Sequence, residues 1–174
     1  DDHDEGEKDT GFTGFHRLER DLWETGLQPD SAAMADRLLA DVTELVTRAK
    51  AVELNPLQLA NGSKALLDEI ATGKITGEEE RYSHTDLWDF EANVEGSTAA
   101  IAALRPYLAT ADPALVATID ERGKALSDLL ETYREGDGFV LYTDLTPQDV
   151  KKLTTALDAF SEPVATVAGV VARG

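Results

Sequence analysis

The chain has 174 residues, 42% of them hydrophobic, with 16 Lys+Arg against 34 Asp+Glu and a formal net charge of −18. That length suits one domain with a real core, and the negative field argues against nucleic acid and anionic lipid as partners; it concentrates cations, or simply keeps the chain soluble. There is no cysteine, so disulfides, thiolate zinc sites and a cysteine nucleophile are excluded, and no apolar run approaches the roughly 20 residues needed to span a bilayer.

The chain starts at Asp1 with neither Met nor a leader, which predicts a processed or trimmed product whose export signal has been removed. Residues 1–10, DDHDEGEKDT, are polar and read as irregular. Phe12, Phe15, Leu18, Leu22 and Trp23 recur at helical spacing, and Gly26 is the expected stop. Asp30 or Ser31 can cap a second helix with Met34, Leu38, Val42, Leu45, Ala49 and Val52 as its apolar stripe. Asn55-Pro56 starts a third, carrying Leu59, Leu66, Leu67 and Ile70 and ending near Gly73.

A long helix is expected from about Gly77, with Leu87, Phe90, Val94, Ile101 and Leu104 inward and an end or kink at Pro106. Asp112-Pro113 starts another, facing Val116, Ile119, Leu126, Leu130 and Tyr133 inward, and Gly136-Asp137-Gly138 marks a turn. Thr146-Pro147 caps the last helix, where Val150, Leu153, Leu157, Phe160, Val164, Val167 and Val171 keep a heptad rhythm despite Pro163. No segment alternates with period two for more than a few residues, Phe139 to Tyr142 coming nearest. The pattern predicts an all-α helical bundle of four-helix type with short connections.

Two constellations place polar residues on apolar stripes. In His16-Arg17-Leu18-Glu19, residues three apart share a helix face, and Glu19 falls between Phe12, Phe15 and Leu22. A carboxylate turned toward a core is costly unless it is paired or ligates a metal; imidazole and carboxylate are ordinary ligands for Zn, Fe, Cu or Mn. A helix salt bridge or capping pair is the structural alternative. The second is Gly77-Glu78-Glu79-Glu80-Arg81-Tyr82-Ser83-His84-Thr85-Asp86. If this stretch continues the helix, Glu79, Ser83 and Asp86 extend its inward stripe, Glu80 lies on the flank, Glu78 points away and His84 sits further round. Stabilisation of the helix dipole accounts for Glu78 and Glu80 but not for Asp86. With three histidines in all, His3, His16 and His84, any metal is held mainly by oxygen, which favours iron, manganese or other harder ions over copper(I).

These two segments carry a family resemblance. Gly14-Phe15-His16-Arg17-Leu18-Glu19 followed by Asp21-Leu22-Trp23 resembles the GxHxxE signature of imelysin-like domains. The run from Gly77 through Asp86 to Gly96, GEEERYSHTDLWDFEANVEG, is similar to the EfeO/EfeM branch, as are Tyr133-Arg134, Asp137-Gly138-Phe139 and Leu145-Thr146. The resemblance spans nearly the whole chain. It implies a single imelysin-like domain over 1–174 that lacks the family's N-terminal segment and the acidic residues of its helix. It also implies a periplasmic or otherwise extracytoplasmic protein, secreted and in some precursors lipid-anchored. Such a protein serves an EfeUOB-type iron-uptake system with an iron permease and a haem-peroxidase-type partner. The metal site it implies uses His16 and Glu19, with Glu79 by the helical wheel; Asp86 and His84 stand in the matching motif. The expected cargo is iron, Fe2+ or Fe3+, with Zn, Cu or Mn as alternatives.

Other functions fit less well. Zinc peptidases need a second histidine, as in H-E-x-x-H or H-x-x-E-H, and Arg20 follows Glu19 where the inverted motif needs it. Metallopeptidase activity is therefore not expected. Ferritin-like oxidases need Glu-x-x-His, yet Thr13 and Arg81 stand three before His16 and His84. A structural or interaction bundle without metal remains the other reading.

Overall fold

The computed structural model describes residues 11–173; the stretch expected to be irregular, 1–10, lies outside the described residues. Six α-helices, two very short strands and a few tight turns make up the described residues, so the chain is all-α. It divides into two compact units, one of residues 1–53 with 80–84, the other of residues 54–79 with 85–174.

The larger unit is a four-helix bundle. Helix α3, Pro56–Thr72, opens with a capping box in which Asn55 Oδ1 accepts the N–H of Gln58 and the Gln58 side chain accepts the N–H of Asn55. Helix α4 runs from Asp86 to Ala111, α5 from Pro113 to Glu131 and α6 from Pro147 to Val171. Proline stands at the start of α3, α5 and α6, where its missing N–H costs nothing. Helix α3 packs on α4 and α6, and α5 packs on the same two. The core is built from the expected stripes: Leu67 and Ile70; Leu87, Phe90, Val94, Ile101 and Leu104; Val116, Ile119, Leu126 and Leu130; Leu153, Leu157, Phe160, Val164 and Val167.

One expectation for α4 is corrected, and of the two outcomes expected at Pro106 the helix end does not occur. The helix starts at Asp86, not Gly77, because His84 holds a φ of 57° and Gly77 a φ of 72°, both left-handed and incompatible with a continuing helix. The wheel that placed Glu79 and Ser83 on an inward stripe therefore does not apply to them. The helix also passes through Pro106 to Ala111. That proline lies on the exposed face, where water can replace the lost backbone bond.

A two-residue hairpin, β1 (Arg134–Glu135) and β2 (Gly138–Phe139), closes around the Gly136-Asp137 turn. It packs on α4 through Phe139, whose ring meets Trp88 edge-on at 5.4 Å. Arg134 stacks 4.0 Å from the Phe139 ring and 5.5 Å from Trp88, and pairs with Glu91 and Glu131.

The smaller unit contains helices α1 (Phe15–Arg20) and α2 (Ser31–Ala49). Helix α1 widens into a π turn at Asp21–Thr25 and stops at Gly26, as expected. Its stripe is corrected, however: Phe15, Leu22 and Trp23 are exposed, and the buried residues are Glu19 and Asp21. Asp21 is fully buried because donors surround it. Arg17 Nε donates at 3.0 Å, Ser31 Oγ at 2.7 Å and Thr25 Oγ1 at 3.3 Å. These bonds join α1 to the start of α2 and outweigh burial, holding the Asp21 carboxyl below its ordinary range. In α2 the one buried residue is Ser31, and Leu45 and Val52 from the expected stripe are exposed.

Candidate metal centre

The segment 80–84 forms no helix but a turn that packs within the smaller unit. It brings backbone donors to Glu19. Glu19 Oε1 accepts the N–H of Tyr82 at 2.9 Å, the N–H of Ser83 at 2.7 Å and the hydroxyl of Ser83 at 2.8 Å. Its other oxygen, Oε2, lies 3.0 Å from His16 Nδ1, the i, i+3 partner one turn back on α1. Tyr82 and Ser83 are themselves buried. Burial works against the Glu19 charge, but the Ser83 N–H, His16, the Ser83 hydroxyl and the Tyr82 N–H together hold its carboxyl below the ordinary range.

Glu80 completes the group. One ligand atom from each of His16, Glu19 and Glu80 falls within 4.8 Å of the others, and His16 and Glu80 are half-buried beside buried Glu19. The Ser83 hydroxyl, already given to Glu19, also lies 3.3 Å from Glu80 Oε2. One imidazole nitrogen and two carboxylates can hold a divalent or trivalent cation of the harder kind. Oε1 is occupied by three donors, and Oε2, beside His16, is the Glu19 oxygen with which a cation could be met. Those donors fix the orientation of a ligating carboxylate.

The sequence-derived candidates are placed as follows. His16 and Glu19 are brought together. Glu79 pairs with Lys74, Oε1 to Nζ 2.6 Å, and its N–H donates to Asp86 Oδ1 at 3.2 Å. Asp86 is fully buried as the first residue of α4. His84 is half-buried, and its N–H donates to the Glu80 carbonyl at 2.8 Å. Glu80, which the helical wheel put on the flank, is the residue that joins His16 and Glu19 in this group. The Tyr82 and Ser83 donors gave no sequence signal, since backbone N–H groups are the same in every residue but proline; the left-handed His84 that shapes the turn was equally invisible.

The family profile described as Imelysin matches residues 1–167, and the chain belongs to that family. It is 42% identical over 171 residues to the protein named iron uptake system component EfeO from Escherichia coli O157:H7, covering 98% of this chain and 46% of that protein. It is 41% identical over the same span to the protein of that name from Shigella flexneri. The chain spans about half the length of these curated relatives. They are named as iron-uptake components and not as peptidases.

Proposed function

We propose that this chain is the metal-binding part of an exported iron-uptake component, and that it holds its cation through His16, Glu19 and Glu80. The observation that carries the reading is the convergence of these three ligand atoms within 4.8 Å, with Glu19 oriented by three donors. The names of the relatives supply the iron. Iron is here the cargo, and a −18 chain attracts cations to it. Three side chains leave further positions on a four- to six-coordinate ion open to water or to other donors, so the cargo can be handed on.

Partnership with a permease and a haem-peroxidase-type protein, and an extracytoplasmic location, belong to the same proposal. No helix among the described residues is long and apolar enough to cross a membrane. Catalysis is not part of the reading: the family grouping is peptidase by name, but the site offers one histidine where the known zinc motifs need two.

The test is calorimetric titration of the 174-residue chain with Fe2+, Fe3+, Mn2+, Zn2+ and Cu2+. His16→Ala and Glu80→Gln should each weaken binding by at least about 10-fold, the scale of losing a ligand or its support. Unchanged affinity in both variants would refute the site.

A further inference from the structure

We infer that Asp86 is a positioning residue: it closes the turn that carries Glu80, Tyr82 and Ser83, and holds that turn in shape without itself touching the cation. The inference rests on the metal reading above and revises the ligand role that the motif suggested for Asp86.

The carboxylate of Asp86 accepts the N–H of Glu79, seven residues earlier, at 3.2 Å. Both residues belong to the larger unit, while 80–84 between them belong to the smaller one. The bond therefore ties together the point where the chain leaves the bundle and the point where it returns. Everything the turn gives to the site lies inside that tie: the Glu80 carboxylate, the Tyr82 N–H, and the N–H and hydroxyl of Ser83. The turn cannot rely on a helical ladder for rigidity, because His84 is left-handed. A closed loop has fewer conformations than an open one, and fixing its ends lowers the cost of ordering what lies between.

The residues around the tie strengthen it. The Lys74 ammonium grips Glu79 Oε1 at 2.6 Å, and Tyr142 donates its hydroxyl to the Ile75 carbonyl at 2.5 Å. The chain is thus held on the bundle just before the turn departs. On the returning side, Asp86 sits in the first turn of α4, where the helix dipole favours a carboxylate.

Positioning and ligation make different demands on Asp86. An N–H needs an acceptor oxygen, which an amide also supplies; a hard cation needs the negative charge. Zn2+ affinity by calorimetry, the Co2+ absorption spectrum, and amide hydrogen exchange at Tyr82 and Ser83 are measured on the whole chain carrying Asp86→Asn or Asp86→Ala. Asp86→Asn should keep Zn2+ affinity within about threefold and leave exchange at the two amides unchanged, because the amide oxygen still accepts the Glu79 N–H. Asp86→Ala should weaken Zn2+ binding by about 10- to 100-fold, the range for loss of a residue that orients ligands. It should also speed exchange at both amides, while the Co2+ spectrum at saturation stays that of the parent. The inference is overturned if Asp86→Asn loses as much affinity as Asp86→Ala and alters the Co2+ spectrum, since Asp86 would then be a ligand. It is equally overturned if Asp86→Ala leaves both affinity and exchange unchanged. If the parent binds no Zn2+, or His16→Ala binds as the parent does, the metal reading fails instead; the exchange measurement still decides whether Asp86 closes the turn.

Discussion

Replacing Glu19 by alanine removes one carboxylate from the site and leaves the backbone around it in debt. The N–H groups of Tyr82 and Ser83, at 2.9 and 2.7 Å from Glu19 Oε1, lose their acceptor in a place where both residues are buried. Each buried donor left without a partner costs about 1–3 kcal/mol. Two such donors amount to roughly 2–6 kcal/mol, toward the lower end if water enters the space left by the side chain. Glu19→Gln should cost less, because an amide oxygen can still accept both bonds; what it loses is the charge, and with it about half the strength of each bond. The penalty should be local, so the informative assay is residue-resolved amide exchange with Zn2+ calorimetry beside it. Exchange at Tyr82 and Ser83 should accelerate strongly in Glu19→Ala and modestly in Glu19→Gln, while Leu126 and Leu157 in the bundle core stay protected. Both variants should lose metal affinity. If Glu19→Ala left the Tyr82 and Ser83 amides as protected as before, the reasoning that this carboxylate organises the turn would be wrong.

Acid should act on the same group. The folded-state pKa of Glu19 is lowered, so its contribution to stability is complete above the ordinary carboxylate range near 4.3 and is lost as pH falls through the lowered folded value. Amide protection at Ser83 should therefore hold at pH 6 and decline below about pH 4, and a profile flat to pH 2 would contradict the assignment. Arg134→Lys should destabilise the hairpin by about 1–2 kcal/mol despite keeping the charge, because an ammonium cannot stack on Phe139 while pairing with both Glu91 and Glu131; thermal unfolding and Trp88 fluorescence would report it. Gly77→Ala should cost at least about 1–3 kcal/mol in denaturant titration, since φ is 72° there and the new methyl would run into the Tyr142 ring. Measured against Tyr142→Ala alone, a much smaller cost of adding Gly77→Ala would show that the clash carries most of it, and an equal cost would assign it to the backbone angle.

The helical stripes of α3 to α6 were legible because each buries one side of a long, regular helix, and burial leaves a 3.6-residue period in the sequence. Leu87, Phe90 and Val94, or Leu153, Leu157 and Phe160, face the core wherever the neighbouring helices lie. The caps were legible for a similar reason: Asn55-Pro56, Asp112-Pro113 and Thr146-Pro147 satisfy local backbone demands that do not depend on the rest of the fold. His16 and Glu19 could be paired from sequence because residues three apart on a helix must be neighbours. Periodicity failed where the backbone left regular geometry. Nothing in GEEERYSHTD states that His84 turns left-handed, so extending the helix back to Gly77 put Glu79 on the inward stripe and Glu80 on its flank, whereas Glu80 is the one that meets His16 and Glu19. The first helix misled in another way: its aromatic residues match a core stripe, yet the interior positions went to Glu19 and Asp21, whose donors come from Tyr82, Ser83 and Ser31, distant in sequence. A carboxylate's preference for the inside depends on who meets it there, and only the tertiary structure assembles those donors.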